Sequence, residues 1–257
     1  MLAYMLDKVG VVNLCKMLSS TMGFRAKIYS SLVSVGRKAI GDPKSVLGNL
    51  VDIANHSAAE YVHTYLLSSE TLVFSSKARC QEFFFSGGFL EKSTGPVLDF
   101  GVASGGSTLQ IAEGLLLQPE RLVYGFDAFE GIRDAWSKPD RTPGSMDLDG
   151  IVPAKLRVHP KTEMVVGWVE DTLPKFLAQH GSPIEFVHFD MDVFGPTRFA
   201  LEEIRPRLNS GAVLMFDDYF GFIGWQNHSH RALNEVLDRG EYDCIGISPT
   251  QAVFRLK

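Results

Sequence analysis

Residues 184–219 read IEFVHFDMDVFGPTRFALEEIRPRLNSGAVLMFDDY, and this stretch decides the fold. It holds two apolar runs, IEFVHF and GAVLMF, separated by a segment of helical character from Pro196 to Leu208. A strand–helix–strand pattern of this kind is typical of a parallel β-sheet, in which both strands carry their C-terminal ends to the same edge. The two runs end at Asp190 and Asp217, so we expect these residues to lie side by side at that edge.

Further acidic residues accompany the two strand ends. Asp192 follows Asp190 by two positions, and Asp218 directly follows Asp217. Open α/β sheets bind their ligands at this edge, and converging carboxylates repel one another unless a positive charge lies between them. Oxygen ligands suit a hard divalent cation, so the pattern predicts a Mg²⁺ site.

Composition limits the class of protein. The 257 residues suffice for an α/β domain with an added subdomain, and a hydrophobic content of 45% is ordinary for a globular chain. The net charge of −5 argues against a nucleic-acid binder. Because the sequence shows no membrane-length apolar run and no signal-peptide layout, we expect a cytoplasmic protein without a membrane span. The three cysteines lack CxxC spacing, which favours reduced, buried thiols.

The spacing of apolar residues along the chain changes near residue 90. Residues 1–90 place apolar positions at helical intervals, for example at Tyr4–Leu18, Lys27–Ile40 and Ser45–Leu67, and predict an N-terminal helical cap. The cap is either a purely structural, packed element or one that also closes over a pocket or forms a homodimer face. Residues 91–257 alternate strands and helices, which predicts a doubly wound, Rossmann-like, mostly parallel sheet ending in a β-hairpin. The polar stretch Glu130–Gly150 is long enough to be a substrate loop.

A glycine-rich turn follows the first strand of this second part. The sequence LDFGVASGGST spaces Gly101 and Gly105 for a sharp strand-to-helix turn that can approach a ligand closely. It is neither the dinucleotide pattern GxGxxG nor a P-loop, which disfavours a nicotinamide oxidoreductase and a nucleotide-phosphate site.

Two later strand ends also carry acidic residues. Asp127 ends the second strand, where an acidic residue commonly accepts hydrogen bonds from a ribose, although a solvated strand end is the alternative. After the third strand, Trp168 offers a flat apolar surface for an adenine, whose edge Glu170 or Asp171 would contact. The alternative for Asp171 is an N-cap of the next helix.

The pieces LDFGVASGGST, YGFDAFEG, GWVEDTLP, FDMD and FDDY, taken together, resemble a class I S-adenosylmethionine-dependent methyltransferase, and more narrowly the macrocin O-methyltransferase family. Similarity to Mg²⁺-dependent catechol O-methyltransferases is weaker. The resemblance covers about Val97 to Tyr219. It implies S-adenosylmethionine and Mg²⁺ as cofactors and a small hydroxylated substrate, such as a sugar-bearing natural product.

The resemblance also implies roles for individual residues. The methionine part of the cofactor would be held by Gly101, Ala103, Gly105 and Ser107, with Asp99 near its amino group. The ribose would contact Asp127, and the adenine Glu170 or Asp171. The metal would be bound by Asp190, Asp217 and Asp218. Asp190-Met-Asp192-Val-Phe-Gly stands where the family usually has Asp-Gly-Asp-Leu/Ser-Tyr-Glu, and this departure leaves the substrate open.

A hydroxyl is a poor acceptor of a methyl group until its proton leaves, so the reaction needs a base. Asp190 at the predicted metal is the first candidate, and Asp192 the second because strand alternation keeps both on one side. The alternative for Asp192 is a helix cap. His228 or His230 in the loop GWQNHSH are further candidates for a base or a substrate contact, or are plain loop histidines. His188 is expected to be a core residue.

Three functions therefore remain open at the level of the sequence. The first is a Mg²⁺-dependent O-methyltransferase. The second keeps the S-adenosylmethionine but lacks the metal. The third is a non-catalytic Rossmann-like binding or assembly subunit, against which the joint presence of the glycine turn and the carboxylates argues.

Overall fold

A computed structural model of the chain describes residues 43–91, 94–134 and 143–257. The chain divides into two compact units, residues 1–52 and 53–257. Helix α1, Pro43–Tyr61, begins in the first unit, and a π-helical turn, Val62–Leu66, follows it. The helices predicted at Tyr4–Leu18 and Lys27–Ile40 lie outside the described residues.

The second unit alternates helices and strands. Its helices are α2 Lys77–Phe84, α3 Gly87–Leu90, α4 Gly106–Gly114, α5 Ala154–Val158, α6 Val169–Gln179, α7 Phe194–Ile204 and α8 Ser229–Val236. Its strands are β1 Leu72–Val73, β2 Val97–Phe100, β3 Val123–Asp127, β4 Thr162–Val166, β5 Ile184–Phe189, β6 Leu208–Phe216, β7 Tyr242–Ile247 and β8 Ala252–Leu256. Short 3₁₀ turns cover Arg205–Arg207, Trp225–Asn227 and Arg239–Glu241.

The strands form an eight-stranded sheet within the described residues, in the order β1-β7-β8-β6-β5-β2-β3-β4. All pairs are parallel except those of β8, which runs antiparallel to β6 and β7. The doubly wound, mostly parallel sheet and the C-terminal hairpin are therefore confirmed. The order reverses at β2, whose neighbours are β3 and β5, and ligands bind open sheets at such a point.

Both faces of the sheet are buried, as expected for parallel strands covered by helices. Strand β5 is an example, since successive side chains along it pack into two different hydrophobic clusters, one on each face of the sheet. Phe186 packs with Phe85 and Leu90 from the segment before β2, whereas Val187 and Phe189 pack with residues of α6, α7 and α8. Residues 80–90 thus share a core with the strands.

One strand contradicts the helical expectation for residues 1–90. Leu72 and Val73 form β1, which pairs in parallel with β7 at the edge of the sheet. A two-residue edge strand carries no alternation that a sequence pattern could reveal. In the segment that follows β1, Phe84 and Phe85 are buried, while Phe83 is 42% exposed.

Two other expectations can be compared with the described residues. Cys80 and Cys244 are buried free thiols, as predicted, and Cys15 lies outside the described part. In that same part of the chain, the helices are all too short or too polar to cross a bilayer.

Candidate active site

The C-terminal ends of β2, β5 and β6 lie in register. Phe100 pairs with Phe189, and Phe189 with Phe216, so the residues that follow them meet at one edge of the sheet. The N–H of Asp190 donates to the carbonyl of Phe100 at 2.7 Å, and that of Asp217 to the carbonyl of Phe189 at 3.0 Å. The predicted adjacency of the two strand ends is confirmed.

The turn after β2 depends on left-handed backbone. Gly101 has φ +88°, and a Cβ there would lie 2.2 Å from the carbonyl oxygen of Asp190. Gly105 has φ +83°, and its Cβ would lie 2.7 Å from the side chain of Leu156. Ala103 also has a positive φ, 45°, which is uncommon for a residue with a side chain. The turn can therefore bring β2 close to β5 only with glycine at position 101.

A cleft that is partly open to solvent lies over this edge. It is lined by the glycine turn, the ends of β3 and β4, and the segment after β5. Of the residues predicted to contact the cofactor, those that line it are Gly101, Ala103, Asp127 and Glu170. Those outside the lining are Asp99, Gly105, Ser107 and Asp171.

Asp99 is fully buried beneath the cleft. Its carboxylate accepts hydrogen bonds from the hydroxyl of Thr108 at 2.5 Å and from Nδ1 of His188 at 2.7 Å. The side chain therefore joins β2 to α4 and β5 and supports the glycine turn from below.

Asp127 stands at the end of β3 with its carboxylate between two turns. Its Oδ2 accepts the N–H of Ala103, and its Oδ1 accepts the N–H of Phe129, each at 2.7 Å. A carboxylate offers about four acceptor positions, so these bonds leave capacity for the hydroxyls of a ribose.

The end of β4 forms the other wall of the cleft. The guanidinium carbon of Arg133 lies 3.7 Å from the centroid of the Trp168 ring, and an Nη of the same residue is 2.9 Å from Glu170. Helix α6 starts at Val169 with Trp168 as its N-cap, so the alternative of Asp171 as the N-cap is wrong. Asp171 lies in the first turn, where the helix dipole favours a negative charge.

Three carboxylates gather beside the cleft. Ligand atoms of Asp190, Asp192 and Asp218 all lie within 4.8 Å of one another. Asp192 has φ +67° and is buried, and α7 begins at Phe194 with Val193 as its N-cap, so the helix-cap alternative for Asp192 is wrong. The left-handed residue turns the Asp192 side chain back toward Asp190.

Asp217 faces a different set of groups. Its Oδ2 contacts the ammonium of Lys77, and its Oδ1 accepts from the side-chain amide of Gln251 at 2.7 Å and that of Gln81 at 3.4 Å. Burial raises the pKa of Asp217, but the hydrogen bonds and charges of His188 and Lys77 outweigh it and hold this pKa below its usual range. The predicted set of Asp190, Asp217 and Asp218 is thus divided between two groups that share Asp190.

His188 is fully buried between two carboxylates, Asp99 on Nδ1 and Asp217 at 3.8 Å from Nε2. Burial lowers the pKa of His188, but the neighbouring carboxylates of Asp217 and Asp99 raise it to about 10. The histidine is a buried core residue, as expected. For Asp190, burial and then the charge of Asp217 raise the pKa well above its usual range.

The two loop histidines have different surroundings. His228 is buried, and burial lowers its pKa while the charge of Asp218 opposes this. His230 lies among aromatic rings: its Nδ1 is 3.1 Å from the hydroxyl of Tyr219, and its ring is 4.7 Å from that of Tyr61. Neither histidine is among the residues that line the cleft.

Sequence reasoning missed Lys77, Arg133 and Gln251. Lys77 and Gln251 reach Asp217 from 140 and 34 positions away along the chain. Arg133 lies in a polar loop with no local pattern. Only the packing of the elements brings these side chains to the site, so no spacing signal could have found them.

Comparison with known proteins yields related sequences. Residues 98–219 match a family model described as a methyltransferase domain. The curated protein "8-demethyl-8-(2,3-dimethoxy-alpha-L-rhamnosyl)-tetracenomycin-C 4'-O-methyltransferase" of Streptomyces olivaceus is 26% identical over 144 residues, covering 49% of this chain and 53% of that protein. The match therefore spans about half the length of this curated relative.

Solved structures share the fold. "Structure of the O-methyltransferase NovP" superposes with a TM-score of 0.55 at 16% identity, over 84% of this chain and all of that one. "Crystal Structure of CalS11, Calicheamicin Methyltransferase" superposes with a TM-score of 0.50 at 20% identity, over 91% of this chain and 93% of that one. At sequence identities this low, the similarity to these two structures shows a shared fold and nothing more.

Proposed function

We propose that this chain, which belongs to the class I S-adenosylmethionine-dependent methyltransferases, methylates a hydroxyl oxygen of a small molecule in a Mg²⁺-dependent reaction. The resemblance identified from the sequence is confirmed at the level of this class. The oxygen acceptor, the metal and the substrate are the proposed parts.

The observation that carries the proposal is the meeting of three carboxylates at the rim of the cofactor cleft. Asp190 and Asp192 line the cleft, and Asp218 reaches them from the end of β6. Carboxylates this close repel one another, and a cation bound between them would relieve that repulsion. An all-oxygen donor set fits Mg²⁺, which would lower the pKa of an alcohol bound beside it.

The cleft fits S-adenosylmethionine, which supplies the electrophilic methyl group when bound. Gly101 lets the turn after β2 approach the ligand, and the α4 N-terminus follows that turn. The Asp127 carboxylate remains able to accept the ribose hydroxyls, and the Trp168 ring offers a surface for the adenine. These residues would hold and orient the cofactor above Asp190.

Asp190 is the residue proposed to take the proton from the acceptor hydroxyl. It lines the cleft beside Asp192, where its carboxylate can accept a proton from a hydroxyl bound in the cleft. Asp192 is the second candidate because it shares the cluster. His228 is the third candidate, since it lies close enough to Asp218 for the charge of that carboxylate to act on it.

The substrate class is proposed from the curated relative. Its name states 4'-O-methylation of a rhamnosyl group carried by tetracenomycin C. We therefore propose a hydroxyl of a sugar-bearing natural product or metabolite for this chain. Adjacent sugar hydroxyls are suitable oxygen ligands for a divalent cation.

Mass spectrometry of the products would test the proposal. The 257-residue chain would be incubated with S-adenosylmethionine, Mg²⁺ and a panel of rhamnosylated compounds that includes rhamnosyl-tetracenomycin C, with a gain of one methyl group expected. Asp190→Asn should lower the rate at least ~100-fold, in the range of a lost general base, while the exposed-site control Asp243→Asn should keep it.

Two further outcomes separate the alternatives. Full activity in EDTA would support the methyltransferase that lacks the metal. Failure to bind S-adenosylhomocysteine in calorimetry would overturn the enzymatic proposal and leave a binding or assembly subunit.

A further inference from the structure

We propose that Lys77 removes Asp217 from the cation-binding set, so that Asp190, Asp192 and Asp218 are the metal ligands in this chain. The inference rests on the metal part of the proposed function. It departs from the set expected from the sequence, which paired Asp190 with Asp217 and Asp218. It assigns to Lys77, a residue outside every recognised motif, the role of a positioning residue.

The surroundings of Asp217 are the first argument. Both carboxylate oxygens already have protein donors, because Oδ2 contacts Lys77 while Oδ1 accepts from Gln251 and Gln81. Nε2 of His188 lies 3.8 Å from the same Oδ1. A carboxylate has about four acceptor positions, and donors from the protein already occupy three of those on Asp217.

The second argument concerns charge. Lys77 is a cationic partner of Asp217, which is 1% exposed. An additional divalent ion on Asp217 would place two positive charges against the ammonium of Lys77 at close range. That repulsion disfavours Asp217 as a ligand unless Lys77 moves away.

The third argument concerns Asp217 and Asp218, which follow β6. Although they are neighbours in the chain, their side chains point in different directions. Asp218 belongs to the group with Asp190 and Asp192, whereas Asp217 belongs to the group with His188 and Asp190. Alternation along an extended chain explains the difference. Asp192 supplies the third carboxylate because its left-handed backbone turns it toward Asp190.

Lys77 is placed for this role by its helix. It is the first residue of α2, whose N-terminus is capped by Ser76, and its side chain is about half exposed. The cap fixes where the lysine stem begins, and the stem then reaches the buried carboxylate. Gln81, one turn later on the same helix, contacts the same carboxylate.

The test measures binding of Mn²⁺ alone to the full chain by calorimetry. The double variant Lys77→Met/Asp217→Asn removes the whole ion pair, and its affinity should stay within about threefold of the wild type because neither residue is a ligand. Lys77→Met alone should tighten binding about fivefold or more, since it removes a nearby positive charge and frees a carboxylate. Asp218→Asn should weaken binding more than about tenfold.

The matched control is Lys257→Met, which removes a lysine that is paired with Asp243 on the surface, 3.1 Å away. It should leave Mn²⁺ affinity unchanged. A tenfold loss in the double variant would overturn the inference by making Asp217 a ligand. If the double variant does not fold, as judged by circular dichroism, Lys77→Met decides: unchanged affinity overturns the inference.

Mn²⁺ binding also separates this inference from the proposed function. If Mn²⁺ does not bind to the wild type, the inference is overturned, whether or not methyl transfer proceeds in EDTA. The predicted pattern of affinities without any methylated product would support the inference while the proposed reaction fails.

Discussion

The N–H of Ala103 donates to the Asp127 carboxylate at 2.7 Å, which ties the glycine turn after β2 to the end of β3. The other oxygen of Asp127 holds the N–H of Phe129 at the same distance. Both donors come from residues with positive φ, 45° and 58°. One carboxylate thus stabilises two strained turns that border the cofactor cleft.

Asp127→Asn should weaken both turns, because an amide keeps only one of the two acceptor oxygens. We expect S-adenosylhomocysteine to bind about tenfold more weakly, and the free energy of unfolding to fall by about 1–3 kcal/mol. Calorimetry and urea unfolding would measure these effects. The control is Asp147→Asn, in which an exposed Asp accepts the N–H of Asp149 at 2.8 Å. Equal effects in the two variants would contradict the role given to Asp127.

Gly101→Ala should disrupt the approach of β2 to β5. The added Cβ would lie 2.2 Å from the carbonyl oxygen of Asp190, on a backbone with φ +88°. We expect a loss of roughly 2–4 kcal/mol in unfolding free energy and the loss of cofactor binding, because two backbones would have to separate. Gly181→Ala, whose Cβ would meet nothing within 4 Å, is the control. Thermal unfolding with and without S-adenosylhomocysteine would show both effects, and an unchanged melting temperature would refute the argument.

Arg133→Ala should speed the dissociation of the cofactor. Arg133 lies over the Trp168 ring and pairs with Glu170 at the wall of the cleft. The two half-exposed contacts of Arg133 together contribute about 1 kcal/mol to holding the cofactor, which corresponds to roughly a fivefold change in its dissociation rate. Stopped-flow displacement of S-adenosylhomocysteine would measure the rate. Arg79→Ala, which removes an exposed pair with Glu82, should leave it unchanged. An unchanged rate in Arg133→Ala would exclude Arg133 from holding the cofactor.

His230 should make stability depend on pH in the acid range. Burial lowers the pKa of His230 to about 4, below the value of about 6.5 for an unfolded chain. The unfolded state therefore binds more protons between about pH 6.5 and 4. The contribution of His230 is fully present above pH 6.5 and is lost as the pH falls toward 4.

Replacing this histidine isolates its contribution. His230→Gln should reduce the loss of stability between pH 7 and 4 by on the order of 2 kcal/mol, as measured by urea unfolding at several pH values. His63→Gln, at an exposed position, is the control. If the wild type and His230→Gln lose stability in parallel, the buried ring is not the cause.

The chain order of apolar and acidic residues determined much of the architecture by itself. Runs such as IEFVHF and GAVLMF predict buried strands, and a parallel sheet necessarily brings Asp190 and Asp217 to one edge. The glycine turn was recognisable because residue 101 must adopt a backbone that side chains disfavour. These features are local, or follow from one rule of topology.

Only the tertiary structure decided which groups each acid contacts. Lys77 contacts Asp217 from helix α2, which lies 140 positions earlier in the chain. Arg133 lies over the Trp168 ring and comes from a loop without periodicity. The left-handed Asp192 joins the cluster through one backbone angle. Contacts like these depend on how elements distant in the chain pack together, and spacing along the sequence carries no information on such packing.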